Sequence, residues 1–248
     1  MTPVKSTALH HPDRIRLERW GAVGNRLFYL VDGTGRLFTG GRHGPLARIV
    51  ARYDAEADRL ALAFPVGREV EEGARADGEV LSTSFWGRPV AGRPVAGPFS
   101  EALSAYVGRP VRLMRCERPG DGNDTYPASV VSTASLEELA RHLGVASVDP
   151  RRFRMLVEVE GCEPHEEDRW IGRRVRVGGA VLRIVQPDPR CVVTTQNPDT
   201  GRRDLDTLGA IAAYRGKRDG KHLDFGVYAL VEQPGTVRAG DPVEPLGG

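Results

Sequence analysis

The segment Ala180-Val181-Leu182-Arg183-Ile184-Val185, followed after Gln186-Pro187-Asp188-Pro189 by Arg190-Cys191-Val192-Val193-Thr194-Thr195-Gln196-Asn197-Pro198-Asp199-Thr200-Gly201, sets the reading of this 248-residue chain. The β-branched and apolar run from Ala180 to Val185 predicts a strand, because such side chains suit a pleated, buried surface. Asn197, Pro198, Asp199 and Gly201 are turn formers. Beyond them Asp206 carries the short acceptor side chain of a helix start, and Leu208, Ile211 and Tyr214 fall on one helical face. Cys191 is therefore expected where a strand leaves the core, within reach of a ligand. Arg190 beside it would favour the thiolate, the form that attacks electrophiles and binds soft metals.

The pattern of short strands and turns continues on both sides. Val157-Glu158-Val159-Glu160 and Arg174-Val175-Arg176-Val177 alternate with the period of half-buried strands. Ser135 and Glu138 have the spacing of a capping box for a helix that turns Leu136, Leu139 and Leu143 inward and stops at Gly144. The polar, glycine-containing stretch from Glu117 to Asn123 reads as a boundary. Before it, Leu27 to Val31, Leu37-Phe38 and Leu60 to Phe64 read as strands, with a hairpin signal at Asp32-Gly33. Residues 67–98 read as loops in which Phe85 and Trp86 anchor one strand. A helix from about Ser100 buries Leu103, Tyr106 and Val107 and ends at Gly108. The expected fold is mainly β with a few helices, built as two β-barrel-like domains over residues 1–115 and 116–248.

Composition narrows the function classes. Hydrophobic residues make up 40% and charged residues 27%, ordinary for a globular chain. The net charge of +2 comes from 35 basic and 33 acidic residues, well mixed, so no basic stripe recruits nucleic acid. No apolar run is long enough for a membrane span, and no signal-peptide core follows Lys5, so a cytoplasmic location is expected. Cys116, Cys162 and Cys191 form no CxxC pair, which argues against a disulfide framework and against a cysteine-ligated zinc or iron–sulfur site. His165-Glu166-Glu167-Asp168 reads as a solvated loop, because consecutive side chains do not converge on a metal. Cys162 reads as a small packing thiol.

The string PRCVVTTQNPDTG followed by LDTLGAIAAYRG resembles the cysteine motif of the MOSC family, the C-terminal domain of molybdenum cofactor sulfurases. Phe225-Gly226-Val227-Tyr228 with PGTVRAGDPVE, and Phe153-Arg154 through GCEPHEEDRWIG, resemble that family's C-terminal and central segments. Pro3-Val4-Lys5-Ser6, Trp20-Gly21-Ala22-Val23-Gly24-Asn25-Arg26 and TGGRHGPLARI resemble the β-barrel domain that precedes MOSC in the amidoxime-reducing branch. The motifs cover nearly the whole chain in the family's order. The chain departs from the pattern at Asn25, Met155, Leu156 and Pro189, where an acidic residue, Pro-Asn and Ser are usual.

The resemblance implies a molybdenum cofactor, a pterin bearing a dithiolene and a phosphate. Lys5, Ser6 and Arg26 match positions that contact it and suit a phosphate through charge-assisted bonds. Positions matching Asp124, Arg154, Cys191 and Tyr228 lie around it, with the cysteine on molybdenum and Arg190 at its side. The implied activity is reduction of N-hydroxylated compounds, amidoximes and hydroxylamines. No flavin or dinucleotide fingerprint is present, so electrons are expected from a separate haem, flavin or iron–sulfur protein. Two alternatives keep Cys191 central: a persulfide carrier or cofactor-delivery protein, and a cofactor-free accessory of a biosynthetic pathway. Pyridoxal phosphate would belong to a sulfurase partner only.

Overall fold

The computed structural model describes every residue except Val66 and Gly248. The chain is mainly β, with 38% strand and 19% helix, and its strands form two nearly closed barrel-like sheets. It divides into two compact units: Met1–His11, Gly24–Asp124 and Asp199–Arg202 make the first, and Pro12–Val23, Thr125–Pro198 and Arg203–Gly248 the second.

In the first unit a five-stranded antiparallel sheet runs in the order Leu37–Phe38, Phe28–Asp32, Val111–Cys116, Arg88–Pro94, Leu81–Phe85. A three-stranded antiparallel meander, Val50–Asp54, Arg59–Ala63 and Glu69–Gly73, accompanies it. Phe28–Asp32 is buried on both faces. Phe28 and Leu30 pack with Leu46, Leu60 and Phe99, whereas Tyr29 and Val31 pack with Phe85 and Met114. Such a strand reads as a continuous apolar run, as the sequence has it. Helix α1, Phe99–Val107, buries Leu103 and Val107 and ends at Gly108 in the left-handed region, the usual C-terminal stop.

In the second unit a six-stranded sheet has the order Val157–Val159, Ala128–Ser132, Asp224–Gln233, Ala180–Pro189, Arg174–Val177, Val243–Pro245. Only the first pair is parallel. A three-stranded sheet, Gly235–Arg238, Arg14–Glu18 and Gly21–Ala22, completes the β structure. Leu182, Ile184, Val227 and Ala229 form the centre of the core. Helices α2, Thr133–Leu143, and α3, Thr207–Arg215, close a second cluster around Leu136, Leu139, Ile211 and Phe225. Asp206 caps α3 as expected, accepting from the Gly209 amide at 2.9 Å.

Several expectations are corrected. The strand predicted over Ala180–Val185 continues to Pro189, with register shifts at Ile184/Gln186 and Pro187/Pro189 that let prolines sit in it. The cap of α2 is Ser132, whose Oγ accepts from the Ser135 amide at 3.1 Å, so the helix starts where the preceding strand ends. His165–Asp168 is no solvated loop. It opens a short 3₁₀ turn, Glu166–Trp170, in which Glu167 is fully buried and accepts from Ser135 Oγ at 2.8 Å. Trp86 does not anchor its strand in the core: Phe85 is buried, but the tryptophan is 67% exposed. Among the described residues no helix is long and apolar enough to cross a membrane.

Candidate functional site

The first unit gathers two of the residues singled out in the sequence, Lys5 and Arg26, onto a third, Asp124. Val4 bridges to Phe28, and the Lys5 amide donates to the Phe28 carbonyl at 2.8 Å, so the N-terminal segment is held along a buried strand. From there Lys5 Nζ donates to Asp124 Oδ1 at 2.7 Å and to the Gly122 carbonyl at 3.0 Å. Arg26 Nη1 donates to Asp124 Oδ2. Trp86 Nε1 donates to Asp124 Oδ1 at 3.1 Å. The cations lie deep, with the Lys5 and Arg26 side chains 6% and 16% exposed, while the Asp124 side chain is 34% exposed. Burial opposes ionisation of Asp124, but the Lys5 and Arg26 charges and the bonds from Lys5 and Trp86 outweigh it and hold the carboxyl well below the usual range. Two cations against one carboxylate leave an excess of positive charge, which suits an anionic or neutral ligand.

Backbone strain falls on two residues of this cluster, Arg26 and Trp86, and on two other candidates, Ser6 and Arg154. Among the described residues, non-glycine positions with positive φ include Ser6 at 76°, Arg26 at 51°, Trp86 at 54° and Arg154 at 55°. Left-handed backbone is costly for side chains that gain no local hydrogen bond there, and it concentrates where geometry serves a ligand. Asp58, His165 and Asp219 share positive φ, so three of seven such positions, Ser6, Arg26 and Arg154, are candidates from the sequence. Gly122 has a related reason: a Cβ there would overlap the Arg26 carbonyl oxygen, so only glycine lets that loop approach Arg26.

The remaining candidates lie in the second unit. Cys191 is exposed just beyond the strand Ala180–Pro189, at the start of the 3₁₀ turn Val192–Thr195. The Arg190 guanidinium turns away to a structural task. It donates to Asp188 and to the Phe153 carbonyl, lies 3.2 Å from Met155 Sδ, and stacks over the Phe153 ring at 5.4 Å. That bracing ties the cysteine turn to the segment that carries Arg154. Arg190 Nε is buried with no partner in the structure. Half-buried Tyr228 faces Gln186 across the strand pair, and its ring lies 5.3 Å from Tyr126.

The departures from the family pattern have local roles. Asn25 Oδ1 accepts from the Thr2 amide at 3.0 Å, Leu156 donates its amide to Ser129 Oγ at 3.1 Å, and Met155 fills the space above Gly226. The sequence reading missed Trp86 and Tyr126. Trp86-Gly87 between two strand-like runs was the available signal for a two-residue hairpin loop, which would have put the tryptophan at an exposed tip.

Among the described residues no three or more His, Cys, Asp or Glu side chains converge to hold a bare ion. The first unit offers a buried, net-positive cluster suited to an anion, and the second exposes a thiol suited to a soft metal, so each fits one part of a group that brings most of its own metal ligands.

A barrel-like, mainly β chain with an exposed cysteine at a strand end defines the class, and the MOSC domain family model matches residues 117–244. The chain belongs to that family. It is 27% identical to human mitochondrial amidoxime-reducing component 1 over 92% of this chain and 75% of that protein, and 28% identical to the mouse protein of that name over 92% and 74%. Human mitochondrial amidoxime reducing component 2 is 35% identical over 48% of this chain and 37% of its own length. Among solved structures, the YUAD protein of Bacillus subtilis superposes on 95% of this chain and 86% of its own, with 14% identity and a TM-score of 0.42.

Proposed function

We propose that this protein is a molybdenum-cofactor-dependent reductase of N-hydroxylated compounds. The single observation that carries the reading is the net-positive pairing of buried Lys5 and Arg26 with Asp124, with Ser6 next in sequence, in a chain that also exposes Cys191 at a strand end. Relatives named amidoxime-reducing components support the same reaction class. In this reading residues 1–115 serve as the MOSC N-terminal β-barrel domain and 116–248 as the MOSC domain. Lys5, Ser6 and Arg26 hold the phosphate of the cofactor, and Asp124 keeps both cations in place. Arg154, Arg190 and Tyr228 flank the pterin, and Cys191 ligates the metal through its thiolate. When bound, the cofactor supplies two-electron redox chemistry at its metal. The net reaction converts an amidoxime, two electrons and two protons into an amidine and water, with the electrons delivered by a separate haem, flavin or iron–sulfur protein.

The test is metal and pterin analysis of the purified protein, coupled to reduction of benzamidoxime by chemically reduced methyl viologen. Molybdenum and pterin should copurify, turnover should need the added reductant, and Cys191→Ser should abolish turnover. Equal benzamidoxime reduction by molybdenum-free protein overturns the reading. The exposure of Cys191 also suits a persulfide carrier. A persulfide found on Cys191 by mass spectrometry, in protein without molybdenum, selects that alternative.

A further inference from the structure

Lys217 and Lys221 take no part in any role described so far. Of the 35 basic residues only three are lysines. Lys5 is buried on Asp124, and the other two stand in one exposed loop, residues 217–222, directly after α3. The loop is a tight turn: Arg218 bridges to His222, and Asp219 and Gly220 between them have φ of 53° and 70°, a left-handed pair that Asp-Gly accommodates. Its base is braced. Arg218 donates to the two Asp224 carboxylate oxygens at 2.6 and 2.9 Å, and Arg215 Nε donates to the Asp224 carbonyl at 2.9 Å. The one acid of the loop, Asp219, lies 3.4 Å from Arg218. Among the described residues no carboxylate pairs with Lys217 or Lys221, so two free ammonium groups ride on a fixed support.

The support stands beside Cys191. Asp224 opens the strand Asp224–Gln233 and pairs in register with Pro189, the last residue of Ala180–Pro189. One step beyond, the Arg190 amide donates to the Leu223 carbonyl at 2.7 Å. Cys191 follows Arg190 and His222 precedes Leu223, so the exposed thiol and the lysine loop leave the same end of one sheet, within the second unit. Exposed Arg203, also without an ion pair, bridges to Gln196 at the end of the turn that Cys191 begins.

We infer that Lys217, Lys221 and Arg203 form the docking surface for a small electron-carrier protein that presents carboxylates around its redox centre. The inference rests on the proposed function, and it names the chemistry of the partner. Electron-transfer encounters bury little area and are steered by opposite charge. Lysine suits them, because a strongly hydrated charge on a flexible stem attracts a partner without fixing one geometry. A one-electron carrier is oxidised twice for each amidoxime reduced, and the two protons come from solvent.

Calorimetric titration of the full chain at low salt with three probes reads docking without turnover: an acidic plant-type [2Fe–2S] ferredoxin, an acidic flavodoxin and basic cytochrome c. At least one acidic carrier should bind, and cytochrome c should not. The double variant Lys217→Glu/Lys221→Glu should lose about five- to tenfold in affinity for that carrier, and the loss should shrink at high salt. Lys217→Arg/Lys221→Arg keeps the charge and should bind within about twofold of the parent. Arg112→Glu, an exposed change in the first unit, should also leave binding within about twofold, which separates the loop from overall net charge. Benzamidoxime reduction driven by methyl viologen, which needs no dock, should be the same in parent and double variant, whereas KM for the acidic carrier should rise about five- to tenfold. Failure of both acidic carriers to bind overturns the inference, as do unchanged affinity in the double variant and an equal loss in Arg112→Glu. Lysine-dependent capture by phosphatidylserine vesicles, with no carrier bound, overturns it in favour of a membrane surface. Protein that lacks molybdenum and reduces nothing with viologen, yet binds an acidic carrier through the two lysines, would refute the redox reading and leave the docking surface standing.

Discussion

Lys5 and Asp124 are 119 residues apart in sequence, yet Lys5 Nζ lies 2.7 Å from Asp124 Oδ1, and the lysine is almost fully buried. A buried ammonium is tolerated only when paired and hydrogen-bonded, and Asp124 together with the Gly122 carbonyl meets that need. The pair closes the first unit by joining its N-terminal segment to the end of its long central stretch.

Asp124→Asn should therefore destabilise the protein by about 2 kcal/mol at pH 7, the cost of leaving cations short of a counter-charge, reduced for the partial exposure of Asp124. The folded carboxyl titrates below its unfolded value of about 4, so its contribution is complete above that pH and is lost progressively as the pH falls. Urea unfolding of parent and variant should show a larger gap at pH 7 than at pH 3. A gap that does not change with pH contradicts the assignment.

Gly122→Ala should cost about 2–3 kcal/mol, because the new methyl meets backbone rather than a yielding side chain. Arg26 would be pushed from Asp124, so the variant should also retain less pterin than its stability predicts. Thermal melts with pterin quantification decide this; a variant as stable as the parent refutes the close approach.

The three thiols should react in a fixed order. Cys191 is exposed, Cys162 is half-buried with its pKa raised by burial, and buried Cys116 is pushed up to about 12 by burial. Maleimide labelling of native protein free of cofactor at pH 8 should modify Cys191 first, Cys162 slowly and Cys116 only on unfolding. Cys191→Ser should shift stability by no more than about 0.5 kcal/mol, since the site is exposed. Fast labelling at Cys116 would show that the barrel opens locally.

His165 supplies an acid-sensitive point in the second unit. Burial first, then the nearby Arg215 and His142, lower its pKa to about 4, against the opposing Asp168 and Glu138. Tyr214 lies 3.2 Å from its Nε2, and Nδ1 is buried without a partner. Between pH 6.5 and about 4 the unfolded chain binds a proton that the folded one refuses, so stability rises with pH across that window. Replacement with glutamine should flatten about 1–2 kcal/mol of this slope. An identical pH profile for His165→Gln would remove His165 as the cause.

Much of this protein was legible in the chain as written. Apolar runs and turn residues announced the strands from Leu27 and from Ala180, Gly108 and Gly144 announced helix ends, and Asp206 announced a helix start, because these signals act over a few residues. The position of Cys191 outside a strand end was equally local. What tertiary structure alone decided is partnership and burial. Lys5, Arg26 and Trp86 meet on Asp124 only because the sheet brings distant loops together, and Glu167 is buried because Ser135 of another element supplies its hydrogen bond. Ser132 took the cap from Ser135 because the strand before it fixed where the helix begins. Strain at Ser6, Arg26 and Arg154 has no sequence signature, since each of these residues prefers negative φ until the surrounding fold imposes the other sign.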